Sequence, residues 1–572
     1  MKGGSETSLS TRIFIGEPVQ YRSEYVCLNE ICCALEGLGR WACVFANVHL
    51  SGRQIDMIVF TARATVVVEV KAYTQKVQGG VNGLWEQIGP YGKRKIGNAY
   101  TQALNAKNAL RDEIQREIQI DGYPNSLIVI TPKLPNGSAL PSDFKVVVAE
   151  LTQVAQELER PSGALLTQAQ CESLARRLNL EEVRSAGAAI DEELLDSERV
   201  FRVYADSFRD FHGPSTAALI PDQYTYSDAR IGLQEVHSVV QTGSNALQIQ
   251  GPSGCGKTLL ATSCAVSCLD ADCMPFFVAA GDFDGDLKRL LDKESALLGL
   301  HSAIQIVKVA KLLGKRLVIF LDGYNECRDD LKLILTRSLR AFALRYNAGI
   351  VLSTQQDIVR PELLIKETVT VGRPSDELKA SIAGIAQDDA NGNVRGLLQA
   401  ADSGLEAALI GQVGMALPNG ASKFGLFDTY VRTKLGVAAS PGIRVLTLFA
   451  ETLVQRACFS LTVREFDRLF GSSTLVHPDQ LVRARLLHIR GDRISFVHEL
   501  FFSAFAAEAV IRSAKGDVSS IRAALDLPRF FSSRVLIVGA IDDEDVLQAV
   551  VDGLSDQALL TACFQGECGE TA

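Results

Sequence analysis

Long apolar runs are missing from this sequence. No stretch of its 572 residues approaches the ~20 apolar residues of a membrane span, and the opening MKGGSETSLSTRIF has no hydrophobic stretch of a secretory signal. Membrane insertion and export are therefore not expected, and a cytoplasmic location is. The 13 cysteines form no paired C-x-x-C units and their number is odd, so reduced core thiols are expected rather than disulfides or zinc. Positive charge is not in excess: 58 Lys+Arg against 67 Asp+Glu leave −9, which excludes a protein coated in nucleic acid but leaves room for a local basic patch. Low-complexity tracts and short-period repeats are also missing. What remains is ordinary soluble composition, 47% apolar and 22% charged, long enough for three or four domains at the usual ~150 residues each.

The most specific stretch present runs from Gly251 to Thr258, GPSGCGKT, between the mostly apolar Ala246–Gln250 and a helix-opening Leu259-Leu260-Ala261. Strand, glycine-rich turn and helix follow with the spacing G-x-x-x-x-G-K-T. Gly251, Gly254 and Gly256, with Ser253 among them, let successive backbone N–H groups wrap phosphate oxygens, and the helix N-terminus adds positive potential. Lys257 would reach the β- and γ-phosphates, and Thr258 would hold Mg²⁺. Downstream, the buried parallel strand Arg316–Asp322 ends on an acid where a P-loop protein places a Mg²⁺ contact, and Glu326 is set to polarise an attacking water. A further strand, Gly349–Thr354, ends in the polar run Ser353 to Gln356, where a γ-phosphate sensor would sit.

Near the N-terminus, Leu28 to Leu38 reads as an amphipathic helix containing Glu30, followed by strand-like runs at 42–50, 55–60 and 65–70. Asp56 opens one strand, and Glu69 and Lys71 close the next on one face, because side chains alternate along a strand. Carboxylates converging at strand ends hold a hard divalent cation, and a neighbouring lysine orients or deprotonates water, the requirements of phosphodiester hydrolysis. Asn98 then starts a long helix through about Ile118, preceded by the basic run Gly92-Lys93-Arg94-Lys95 with Trp85 and Tyr91 nearby, which suits DNA phosphates or simply a solvated loop.

Taken in order, Glu30, Gln54-Ile55-Asp56, Glu69-Val70-Lys71 and Asn98-Ala-Tyr-Thr-Gln102 resemble the NERD domain, a nuclease-related branch of the PD-(D/E)xK superfamily, over residues 24 to about 132. The resemblance implies Glu30, Asp56 and Glu69 as metal-side carboxylates for Mg²⁺ or Mn²⁺, Lys71 as catalytic lysine and Gln102 in support, with Glu24 a less well-spaced alternative to Glu30. Ala99 replaces the family's Pro. Farther on, Asp322-Gly-Tyr-Asn-Glu326, Ala416-Leu-Pro418 with Leu426–Val431, and Phe496-Val-His498 resemble NACHT-type STAND NTPases. In that family the winged-helix His contacts the β-phosphate of ADP; carried over, it is His498. Gln355 stands where Arg is frequent.

The expected fold class is α/β: a restriction-endonuclease-like domain at 1–160, a helical connector at 161–235, a P-loop parallel-sheet core at 236–375, a helical lid and winged-helix region at 376–515, and a short helical segment at 516–572. The resemblance implies an ATP/ADP switch controlling a metal-dependent DNA nuclease, a homo-oligomer when a trigger activates it, and antiphage defence. The last segment is too short for a repeat-array sensor. Two other classes stay open: an ATP-driven DNA-processing enzyme, for which no helicase motifs are seen beyond the two Walker segments, and a non-catalytic nucleic-acid-binding scaffold.

Overall fold

Hydrogen bonding between strands sorts most of the chain into two seven-stranded sheets. The computed structural model describes residues 11–89, 92–213, 220–243, 246–299, 301–355, 358, 363–385, 392–418, 420–471, 478–569 and 572. Tyr91 and Gln356 lie outside them.

The first sheet uses β1 (Thr11–Ile15), β2 (Ala42–Leu50), β3 (Arg53–Thr61) and β4 (Thr65–Ala72). A separate ribbon of β5 (Lys76–Gln78), β6 (Trp85–Gly89) and β7 (Gly92–Ile96) follows, and β8 (Asn125–Thr131), β9 (Val147–Glu150) and β10 (Glu181–Val183) complete the sheet in the order β10-β1-β2-β3-β4-β8-β9. β2, β3 and β4 form an antiparallel meander, whereas β4 and β8 are parallel and need a crossover, which carries a long helix. Alternation along β4 feeds two cores. Val66 and Val68 pack with Cys27, Leu28, Ile31 and Leu35 of helix α1 (Arg22–Gly37). Val67 joins Phe45, Ile58 and Phe60 against Ala106, Leu110 and Ile114 of α2 (Ala99–Ile118). Buried on both faces, these strands read as nearly continuous apolar runs. Asn98 caps α2 by accepting the Thr101 N–H at 3.0 Å, and its amide donates to the carbonyls of Gly80, Val81 and Gly83, which ties the ribbon to the helix.

The stretch expected as a helical connector supplies strands to both sheets. β10 pairs with β1, and after helix α3 (Glu192–His212) the hairpin of β11 (Tyr224–Tyr226) and β12 (Ala229–Ile231) joins the second sheet. Three-residue strands are too short to show a period of two in sequence. The rest of the second sheet is parallel: β13 (Ala246–Gln250), β14 (Cys273–Ala279), β15 (Arg316–Asp322), β16 (Gly349–Thr354) and β17 (Ile365–Val371), in the order β12-β11-β17-β13-β16-β15-β14. Helices α4 (Lys257–Cys268) and α5 (Asp329–Tyr346) belong to its crossovers.

Beyond β17 the chain is mainly helical, with α6 (Gly404–Val413), α7 (Lys423–Leu435), α8 (Ala439–Gln455) and α9 (Glu499–Ala514) sharing one core. A hairpin of Leu487–Arg490 and Arg493–Phe496 leads into α9. Within the short helical segment at 516–572, Glu544–Asp552 and Gln557–Phe564 are separate helices, because Asp556 caps a new start by accepting the N–H groups of Ala558 and Leu559. One helical stretch does meet the length and composition of a membrane span, contrary to expectation: Lys423–Gln455, mean hydropathy 1.4. Half of its apolar window is buried, with Phe427, Val431, Leu446 and Phe449 inside the protein core.

Lys423 ties this region together. Its buried ammonium lies 2.7 Å from Glu567 and 3.9 Å from Glu406 and bonds Asp402, which also meets Arg373 at 2.9 Å. Removing one member of such a cluster leaves the others buried and uncompensated. Lys423→Met is therefore expected to destabilise the C-terminal half by about 3–5 kcal/mol, checked by urea unfolding followed through a probe placed there.

Candidate functional sites

The N-terminal cluster forms where the β3–β4 ladder ends. Met57 pairs with Val68, so Asp56 and Glu69 are the next opposed positions, and instead of another ladder bond the Asp56 carboxylate accepts the Val70 N–H at 2.7 Å. Lys71 reaches back along its own face to Glu69 at 2.5 Å. Burial raises the carboxyls of Asp56 and Glu69, with the Asp56 charge adding to the effect on Glu69, while Lys71 opposes both shifts. Burial pulls Lys71 down, but the Glu69 and Asp56 charges outweigh it and hold the ammonium above its ordinary value. A protonated Lys71 is suited to orienting water and stabilising negative charge rather than to accepting a proton.

The α1 carboxylate brought toward Asp56 and Glu69 is that of Glu24. α1 begins at Arg22, and the face that carries Cys27, Leu28 and Ile31 inward also carries Glu24, whereas Glu30 is on the exposed face. Burial, with the charges of Asp56 and Glu69 and against those of Lys71 and an Asn47 hydrogen bond, pushes the Glu24 carboxyl up to about 7. Asn47, unnoticed in the sequence, is a left-handed residue (φ 48°) and 2% exposed in the middle of β2; a buried amide in an apolar strand was its available signal. Gln102 is exposed on the first turn of α2, near Gly97, and is not brought into the cluster by any contact described. The basic run forms exposed strand β7, with Lys93 paired to Glu86 at 3.1 Å. On the phosphodiester hydrolysis that the resemblance implies, Glu24→Gln is expected to slow the reaction about tenfold or more and Glu30→Gln to leave it within about twofold, measured as initial rates of plasmid nicking.

Among the described residues no group of three or more His, Cys, Asp or Glu side chains has metal-holding spacing. Mg²⁺, however, is commonly held by one or two carboxylates and water. Asp56 and Glu69, buried oxygens whose charge a cation would offset, fit that donor set.

The second site lies at the carboxyl ends of β13, β15 and β16, where open α/β sheets bind ligands. Gly254 (φ 77°) and Gly256 (φ 95°) are left-handed, and a Cβ on them would come within 2.9 Å of Ser403 and 2.7 Å of Pro221. Lys257 donates to the Gly251 and Pro252 carbonyls at 2.9 and 2.7 Å. Thr258 donates to Asp322 at 2.8 Å, so the expected pair of Mg²⁺ contacts is adjacent. Ser353 also donates to Asp322 and accepts the Gly323 N–H at 2.7 Å. Glu326 is exposed on a short turn beside Gly281 and Gly323.

His498 caps α9: its Nδ1 accepts the Leu500 N–H at 3.1 Å. Burial and the Lys257 charge lower it to about 4, so the ring is neutral and its proton sits on Nε2, a donor suited to an anion. Beside it Glu499, a residue without a role in the sequence reading, accepts from Ser253 at 3.4 Å and from Gln355. Gly404 donates to the Gly254 carbonyl at 3.2 Å, so the helical region closes over the loop.

Residues 29–131 match the model of the nuclease-related domain. No curated protein matches the chain. Among solved structures, a signal transduction ATPase with numerous domains (STAND) carrying a tetratricopeptide repeat sensor, from Pyrococcus horikoshii, is similar at 13% identity and a TM-score of 0.30, over 59% of this chain and 52% of that one. The chain thus spans about half the length of that relative. The Aeropyrum pernix Orc1 protein in complex with DNA (13%, TM-score 0.26, 49% and 92% covered) and the Thermotoga maritima RuvB Holliday junction branch migration motor (13%, 0.23, 47% and 92%) are also similar.

Proposed function

We propose that this chain is a metal-dependent DNA nuclease whose N-terminal domain cuts under the control of ATP or ADP bound at the P-loop. The observation that carries the reading is the convergence of Asp56, Glu69 and Lys71 within residues 29–131, the part of the chain that matches the nuclease-related domain, with Glu24 just ahead of that part acting on the same groups. Asp56 and Glu69 would hold Mg²⁺ or Mn²⁺, which supplies Lewis-acid polarisation and a water of lowered pKa. The chain's own groups do the positioning: the Val70 N–H aims Asp56, and Lys71 places positive charge where the phosphate gains negative charge. Lys93, Arg94 and Lys95 on the exposed ribbon would take DNA phosphates.

Control is supported by contacts at two of the three elements that carry the cluster, just past the end of β4 and in α1. Thr74, just past Lys71, accepts from Asn347 at the end of α5, and Arg22 in the first turn of α1 pairs with Glu198 of α3. Tyr25 packs against the core of the second sheet. At the P-loop, Lys257 would meet the phosphates, Thr258 and Asp322 the Mg²⁺, His498 the diphosphate, and Glu326 the attacking water. Activation by a trigger, assembly into a homo-oligomer and a role in cytoplasmic antiphage defence follow the resemblance to NERD and STAND proteins. The test is plasmid cleavage by the purified chain with Mg²⁺ or Mn²⁺ and with excess EDTA. Metal-restored cutting supports the reading, and cutting that persists in EDTA contradicts it.

A further inference from the structure

Glu499 opens α9, and its carboxylate stands against the P-loop. Ser253 Oγ donates to its Oε2 at 3.4 Å, Gln355 Nε2 donates to the same oxygen, and the Lys257 charge acts on it. Ser253 belongs to the phosphate-wrapping turn, Lys257 is the cation for β- and γ-phosphates, and Gln355 follows β16 at the sensor position. These are the donors a terminal phosphate would use, and a carboxylate matches a phosphate in being anionic and acceptor-only.

We infer that Glu499 is the residue by which this site tells a nucleoside triphosphate from a diphosphate: it holds the donors of the γ-phosphate and has to be displaced when one arrives. The inference rests on the reading of the P-loop as a nucleotide site. A diphosphate leaves the contacts of Glu499 in place, whereas a triphosphate brings a second anion to the same donors. Gln355 suits this exchange. A neutral amide releases a carboxylate more readily than a bidentate arginine would, so the residue that departs from the resembling family's pattern gives a contact that a ligand can break. Displacement has a structural consequence as well. Leu500, the next residue, packs with Ser403 on Gly254, where a Cβ would lie 3.0 Å from the Leu500 side chain. Withdrawal of Glu499 therefore loosens α9 and the helical region from the loop.

The experiment measures, by titration calorimetry with Mg²⁺, the dissociation constants of ADP and of a non-hydrolysable ATP analogue for wild type, Glu499→Gln and Glu499→Ala. Glu499→Gln keeps the side chain's shape, and circular dichroism checks both variants for folding. The expected result is a rise of about tenfold, ~1.4 kcal/mol, in the triphosphate-to-diphosphate affinity ratio of both variants. An unchanged ratio, with both nucleotides still bound, overturns the inference while leaving the nucleotide site intact. Failure of folded wild type to bind either nucleotide overturns the site reading itself, and the inference with it.

Discussion

Lys71→Ala is expected to lower DNA cleavage by about 10²–10³-fold, the usual cost of removing a preorganised charge from a reacting phosphate or acyl centre. Lys71 bridges to Glu69 at 2.5 Å and lies in the field of Asp56, so its loss removes the cation that faces both carboxylates. The substitution also leaves two buried carboxylates without that partner, and they shift further toward protonation. Protons then compete harder for the carboxylates while the loss of a nearby cation favours metal, so metal affinity changes along with rate. Single-turnover cleavage at saturating Mn²⁺ separates the two: if the rate recovers fully at high metal, Lys71 serves only to shape the metal site. Cleavage at the wild-type rate in Lys71→Ala would remove the chemistry from this cluster.

Lys257→Ala is expected to weaken nucleotide binding by at least about tenfold, matching the ~1.5–3 kcal/mol of a hydrogen bond to a charged group. Its ammonium bonds the Gly251 and Pro252 carbonyls at the start of the loop and also lowers the pKa of His498, so the change reaches the α9 cap too. If the two halves are coupled through Thr74–Asn347 and Arg22–Glu198, nucleotide no longer alters the cleavage rate of this variant. Calorimetry for binding and initial rates for cutting check both parts.

The phosphate loop and the Asp56, Glu69, Lys71 group were legible in sequence because each depends on local order: a glycine-rich turn between strand and helix, and alternation at a strand end. The spacing of the resembling family favours Glu30 over Glu24, whereas the start of the helix at Arg22 decides which glutamate faces the sheet. Asn47 required the left-handed kink in β2, which no residue pattern announces. Glu499 meets Ser253 and Gln355 across 246 and 144 residues, a contact created by folding the helical region over the loop. The short strands β10 and β11 pair along longer neighbours, β1 and β17, and β12 joins the sheet only as the hairpin partner of β11.

The most direct test of a nuclease governed by nucleotide compares plasmid cleavage by one preparation of the wild-type chain with Mg²⁺ and either ADP or a non-hydrolysable ATP analogue. The account predicts faster cutting with the triphosphate analogue than with ADP, and a difference that disappears in Lys257→Ala. Equal rates with both nucleotides in wild type would contradict it.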